Sequence, residues 1–197
     1  MKDPLFYRVM RGPLAGIFTL LYRPTIIGKE NIPKEGRIML AGNHTNVLDC
    51  FLVGTSTKRC VHFVAKAELM DTPFKFFFKG MGIVPVNRSS TGSGKAAMET
   101  AEKYLESEKL IAIFPEGTVN RTDDIMMPFK GGAVKIASDA KTNIVPFAIT
   151  GKYKLFKKSV TIKFMPAIET ENAKLKATNT LLYETVRNEL INAGVKK

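Results

Sequence analysis

Apolar residues fall along this chain in short runs that switch between two periods. Runs at 37–41, 61–65, 82–86, 110–114, 143–149 and 160–165 are bounded by turn-forming residues and predict strands. Between them, spacing by three and four predicts helices at 47–54, at 95–108 with Ala97, Ala101 and Leu105 on one stripe, at 133–140, and at the C-terminus, where Leu182, Val186 and Leu190 mark the inner face. The segment 24–36, broken by Gly28, Pro33 and Gly36, reads as a connection, 89–94 as a polar loop, and Asp71-Thr72-Pro73 as the cap of a short helix. Pro85 places the 82–86 strand at a sheet edge or a bulge. Strands and helices alternate without internal repeat, which predicts an α/β single domain with a mostly parallel, mixed sheet flanked by helices.

The first segment follows a different pattern. Leu5, Phe6, Met10, Leu14, Ile17, Phe18, Leu20 and Leu21 are interleaved with Lys2, Arg8, Arg11 and Arg23, a basic amphipathic pattern that suits either an anionic membrane interface or packing on the chain's own domain. The longest apolar stretch here, 13–22, is about half of the roughly 20 residues needed to span a bilayer. Gly12-Pro13 is expected to bend or interrupt the helix. Residues 1–23 are set apart in this reading as an amphipathic segment, with membrane association and packing on the domain both open to it, and 24–197 as the domain proper.

Composition narrows the partners. The chain has 197 residues and a net charge of +12, from 30 Lys and Arg against 18 Asp and Glu, which favours anionic lipid, phosphorylated substrates or nucleic acid. Tryptophan is absent and no basic stripe is interleaved with aromatics, so nucleic acid is not expected as a partner. Cys50 and Cys60 form no C-x-x-C pair, and no cleavable secretory signal is evident; a reducing, cytoplasmic setting is expected. Phe74, Phe76, Phe77, Phe78 and Met81 suit core, with an acyl-chain tunnel or a membrane-facing patch as the second use.

Candidate chemistry gathers where predicted strands end. His44 and Asp49 lie five positions apart across a strand-to-helix turn. An imidazole titrates near neutrality and can accept a proton from a hydroxyl, and a carboxylate on its other nitrogen would fix its tautomer. Asn46 and Asp49 equally fit a helix cap with an acidic third position. His62, the other histidine, has no polar partner near it in sequence and reads as structural. Arg88 follows the 82–86 strand and offers a planar fork for phosphate. Pro115-Glu116-Gly117-Thr118 ends the 110–114 strand, with Arg121 close behind, and Pro128-Phe129-Lys130-Gly131-Gly132 opens the next helix with amides and a cation for an anion.

Taken in order, these stretches resemble the glycerolipid acyltransferase family, of which bacterial 1-acylglycerol-3-phosphate acyltransferase is typical. The His-x-x-x-x-Asp block is His44 to Asp49; the second block is similar to Gly82-Ile83-Val84-Pro85-Val86-Asn87-Arg88, the third to Phe114-Pro115-Glu116-Gly117-Thr118, and the fourth to Ile144-Val145-Pro146-Phe147-Ala148-Ile149. Lys66 in Ala65-Lys66-Ala67-Glu68-Leu69 and Lys130 also match such enzymes. The resemblance covers roughly 25–150, and four blocks in order are far more specific than one. Val119 stands where the family often has Arg after Glu-Gly-Thr, and Asn87 where it often has an acid.

The resemblance implies a glycerol-3-phosphate acyltransferase-like fold and transfer of an acyl chain from a coenzyme A or acyl carrier protein thioester to the free hydroxyl of lysophosphatidate. His44 would be the base and Asp49 its orienter. Lys66, Arg88, Glu116, Gly117, Thr118, Arg121 and Lys130 would serve the substrate. No metal and no cofactor beyond the acyl donor are expected, and the protein would be peripheral on the inner face of the cell membrane. Related acyltransfer to glycerol 3-phosphate or another lysolipid, a hydrolase using the same pair, and a non-catalytic anionic-lipid-binding module remain compatible with the blocks.

Overall fold

Ile38 and Leu40 point to one side of a strand while Met39 and Ala41 point to the other, and all four are buried. A strand apolar on both faces needs a helical layer on each side, and that requirement shapes the molecule. The computed structural model describes residues 3–66, 71, 82–86, 93–171 and 174–195, giving the backbone path alone at 65, 66, 84–86 and 93–97.

The described strands are β1 (Thr25–Ile27), β2 (Ile38–Gly42), β3 (Val61–Lys66), β4 (Val84–Val86), β5 (Leu110–Ile113), β6 (Ile144–Gly151) and β7 (Val160–Phe164). They form one sheet in the order β1-β7-β6-β2-β5-β3-β4. From β6 to β4 every neighbour is parallel; β7 runs antiparallel to β6, and β1 runs parallel to β7. The sheet is therefore mixed and mostly parallel, as the alternation of elements predicts. Pro85 sits in β4 at the edge of the described sheet, where a missing N–H costs no ladder bond.

The described helices are α1 (Leu5–Tyr22), α2 (Asp49–Thr55), α3 (Ser93–Glu106), α4 (Gly132–Asp139) and α5 (Leu175–Asn192). Met39, Ala41 and Ile111 pack with Leu105 of α3, Val134 and Ala137 of α4, and Leu182, Val186 and Leu190 of α5. Ile38, Leu40, Leu110, Ala112 and Phe147 pack on the other face with Phe18 of α1 and Leu52 and Val53 of α2. The result is a helix-sheet-helix sandwich with the period-2 alternation of its strands directed into both cores.

Three expectations need correction. Helix α1 continues through Gly12-Pro13; the carbonyl that Pro13 cannot pair is that of Val9, which is 61% exposed, so water can serve it. The 24–36 connection contains β1 and a 3-10 turn at Lys29–Asn31, a strand of three residues between Pro24 and Gly28 that is too short to show a period. Helix α2 begins at Asp49, because Asn46 to Leu48 form a turn in which the Asp49 amide reaches the Asn46 carbonyl at 3.0 Å. The aromatic stretch 74–81, positions 72 and 73 of the 71–73 cap and positions 89–92 of the 89–94 loop lie outside the described residues, while Ser93 and Gly94, expected in that loop, open α3.

Candidate active site

Five parallel strands bring their carboxyl ends to one edge of the sheet, where open α/β folds assemble their chemistry. His44 follows β2, Glu116 follows β5, and Tyr153 follows β6. Lys66 is the last residue of β3, and Arg88, two positions past β4, lies outside the described residues.

The turn after β2 is held in place by its neighbours. Gly42 faces Phe147 so closely that a Cβ would collide with its carbonyl and ring. Beyond that point β2 and β6 part, and the buried Asn43 amide spans the gap, donating to the Ile149 carbonyl at 2.9 Å and accepting from its N–H at 2.7 Å. Two well-made bonds to a neutral buried amide fix where the next residue begins.

That residue is His44. Its Nδ1 lies 2.9 Å from Oδ2 of Asp49, whose side chain is fully buried while that of His44 is 14% exposed. With Nδ1–H directed at the carboxylate, Nε2 keeps a lone pair. Asp49 Oδ2 also accepts the amides of Thr45 at 2.6 Å and Asn46 at 2.8 Å, and Oδ1 accepts the Thr45 hydroxyl at 3.2 Å and the Tyr153 hydroxyl at 2.6 Å. Asn46 Oδ1 accepts the Leu48 amide at 3.0 Å. The helix-start geometry and the His-Asp contact thus coexist in one carboxylate, because a carboxylate has lone pairs enough for both.

Glu116 joins this turn to the one after β5. It is 2% exposed, and its two oxygens accept the His44 amide at 2.7 Å and the Met127 amide at 3.0 Å. Burial raises its carboxyl above the ordinary range, and those two amides pull the other way. Gly117 follows with φ +79°, a left-handed conformation that favours glycine. The imidazole of His44 stacks on Phe114 with centroids 3.9 Å apart and planes 13° apart. Asn120 donates its amide to the His44 carbonyl at 2.8 Å. Thr118, Arg121 and Lys130 are exposed beside these turns in sequence, and the Lys130 amide binds the Pro115 carbonyl at 3.0 Å. The structure therefore unites His44, Asp49 and Glu116 by direct contacts, and leaves Arg121 and Lys130 at the surface.

Tyr153 escaped the sequence reading. It lies four residues past the fourth block in a loop rich in lysine, and nothing in its spacing relates it to Asp49. Burial first, then Asp49, push its phenol above the ordinary range, so it stays a donor.

Neither cysteine offers a ready thiolate. Burial pushes the thiols of Cys50 and Cys60 up to about 12. Asp3, Cys60 and His62 place donor atoms within 4.8 Å of one another, but the Lys109 ammonium already sits 2.6 Å from Asp3 Oδ1 and supplies the cation there. His62 directs Nδ1 to the Gly82 carbonyl at 2.8 Å, and burial lowers its pKa below the ordinary value.

The sequence profile of the acyltransferase family matches residues 23–150. A 1-acyl-sn-glycerol-3-phosphate acyltransferase of Borreliella burgdorferi is 36% identical over 137 residues, covering 68% of this chain and 54% of that protein. One of Bacillus subtilis is 31% identical, covering 77% and 76%, and one of Saccharomyces cerevisiae is 30% identical, covering 85% and 58%. This chain thus spans little more than half the length of the first and third of these relatives. The crystal structure of the 1-acyl-sn-glycerophosphate (LPA) acyltransferase of Thermotoga maritima superposes with a TM-score of 0.77 over 100% of this chain and 85% of that one, at 19% identity, a likeness that shows the fold.

Proposed function

We propose, from the premise that this chain belongs to the acyltransferase family, that it transfers an acyl chain from an acyl thioester to the free hydroxyl of 1-acylglycerol 3-phosphate, giving phosphatidate. The observation that carries this reading is the 2.9 Å contact between His44 Nδ1 and the buried carboxylate of Asp49, at the carboxyl edge of the parallel strands.

In the reaction, Nε2 of His44 takes the proton of the acceptor hydroxyl as its oxygen attacks the thioester carbonyl. Asp49 holds the tautomer and stabilises the imidazolium as it forms. The tetrahedral intermediate then collapses: the C–O ester bond remains, the C–S bond breaks, and the proton passes from His44 to the departing thiolate. No protein nucleophile is needed, which agrees with two thiols kept protonated by burial. Glu116 holds the His44 amide and so aims the base. Lys66, Arg88, Arg121 and Lys130 are the cations available to the acceptor phosphate, with Gly117 and Thr118 in the turn beside it. The donor is a coenzyme A or acyl carrier protein thioester.

A lipid acceptor calls for a lipid surface. Leu5, Val9, Ile17 and Leu20 on the outer face of α1 are 56–71% exposed, as are Leu155 at 56% and Phe156 at 59%. Lys152, Lys154, Lys157 and Lys158 surround the latter pair. These features support peripheral binding to an anionic membrane, on the inner face of the cell membrane, and no described helix is long and apolar enough to cross one.

The test is incubation with lysophosphatidate, with glycerol 3-phosphate in parallel, and labelled acyl thioesters, followed by identification of the product. His44→Ala is expected to lower the rate by roughly 10²–10⁴-fold; activity within about tenfold of wild type removes the base assignment.

A further inference from the structure

The hydrogen-bond chain from His44 through Asp49 ends at Tyr153, whose ring packs on the N-terminal helix. Tyr153 Oη donates to Asp49 Oδ1 at 2.6 Å, the oxygen that faces away from His44. The Tyr153 ring stands edge-on to Phe18, at 6.3 Å and 66°, and to Tyr22, at 5.6 Å and 89°. Both belong to the inner face of α1, and Phe18 also stacks on Phe51 at 6.2 Å and 17°, two residues past Asp49 in α2. The loop that carries Tyr153 is tied to the same end of α1, where the Phe156 amide reaches the Leu21 carbonyl.

We propose that Tyr153 is a positioning residue for the His44-Asp49 pair and that α1 sets Tyr153 through Phe18 and Tyr22, so that the N-terminal helix supports catalysis in addition to meeting lipid. The proposal rests on the acyl-transfer reading. A carboxylate keeps one orientation only when both oxygens are engaged. Oδ2 is fixed by His44 and two amides of its own turn, whereas Oδ1 depends on the Thr45 hydroxyl and on Tyr153, a group brought from another strand and buttressed by a third element. Moving α1 outward would withdraw the Tyr153 ring's packing and with it the aim of Asp49.

A simple anchor and a positioning element differ in one respect: the anchor matters only when a membrane is present. The experiment therefore measures kcat and KM without vesicles, using a short-chain lysophosphatidate below its micellar concentration and an acyl-coenzyme A. Tyr153→Phe keeps the ring and removes the hydroxyl; the expected result is a roughly tenfold fall in kcat, the scale of a lost hydrogen bond to a charged group, with KM within about twofold.

Tyr22→Leu should lower kcat in the same way, and the double variant should lose less than the product of the two single losses, since both act through one contact. Should Tyr153→Phe fail to fold, Tyr22→Leu alone decides by the same readout. A kcat within twofold of wild type for the folded single variants, or losses that multiply, overturns the proposal. An inactive His44→Ala protein beside an unimpaired Tyr153→Phe protein overturns this inference alone, while an active His44→Ala protein overturns the reading beneath it.

Discussion

Glu116 shows how a charged residue can be spent on geometry. Its oxygens bind the amides of His44 and Met127, so it aligns two turns that come from different strands. Replacing it by glutamine removes the cost of burying a charge but turns an N–H toward one of those amides, leaving a buried donor without an acceptor. Glu116→Gln is expected to cost about 1–3 kcal/mol of stability near neutral pH, measured by urea unfolding. Its pH signature has a definite sign. The folded protein holds the Glu116 carboxyl above its ordinary value of 4.5, so the folded chain binds this proton more tightly than the unfolded one. The contribution of this group to stability is greatest below about 4.5 and declines as pH rises through the raised value; in the glutamine variant that decline disappears.

At the scale of elements, α1 packs one face on the domain and leaves the other exposed. Tyr7 and Phe18 are 4% and 5% exposed, the Tyr7 hydroxyl binds the Arg59 carbonyl at 3.0 Å, and Arg11 reaches the Thr57 carbonyl, so one face is docked. The opposite face leaves Ile17 and Leu20 exposed. Ile17→Ser with Leu20→Ser should therefore reduce co-sedimentation with anionic vesicles by several-fold while the unfolding midpoint stays within a few degrees; equal binding would assign lipid contact elsewhere. Deleting the helix would be a poorer test, because it also removes Phe18 from the core. Strands such as β2 and β5 were legible in the sequence because burial on both faces writes a continuous apolar run. The His44 and Asp49 pair was legible because both partners lie in one turn. Tyr153 and β1 were not, since a contact between Asp49 and a residue 104 positions away depends on strand order, and β1 is recognised only through its pairing with β7. Likewise, the engagement of Glu116 by two amides follows from where the strands end, which no local pattern records.

Over the whole molecule, a sheet with strand order β1-β7-β6-β2-β5-β3-β4 places early strands beside late ones. The central strand β2 pairs with β5, where Ile38 faces Leu110, and with β6, where Met39 faces Ile144, and β1 pairs with β7 alone among the described strands. This arrangement sets an order in time. During synthesis at about 5–20 residues per second, β2 waits roughly 5–20 s for its second neighbour, and the loops that must close first slow the assembly of the sheet. Nascent chains arrested before Ile144 has emerged should therefore remain sensitive to protease across β2, and protection should appear only once β6 and β7 are free of the ribosome. Throughout that interval α1 and its neighbour α2 are already made while Tyr153 is not, so the helix that later braces Tyr153 keeps part of its inner face uncovered until β6 and the loop behind it arrive.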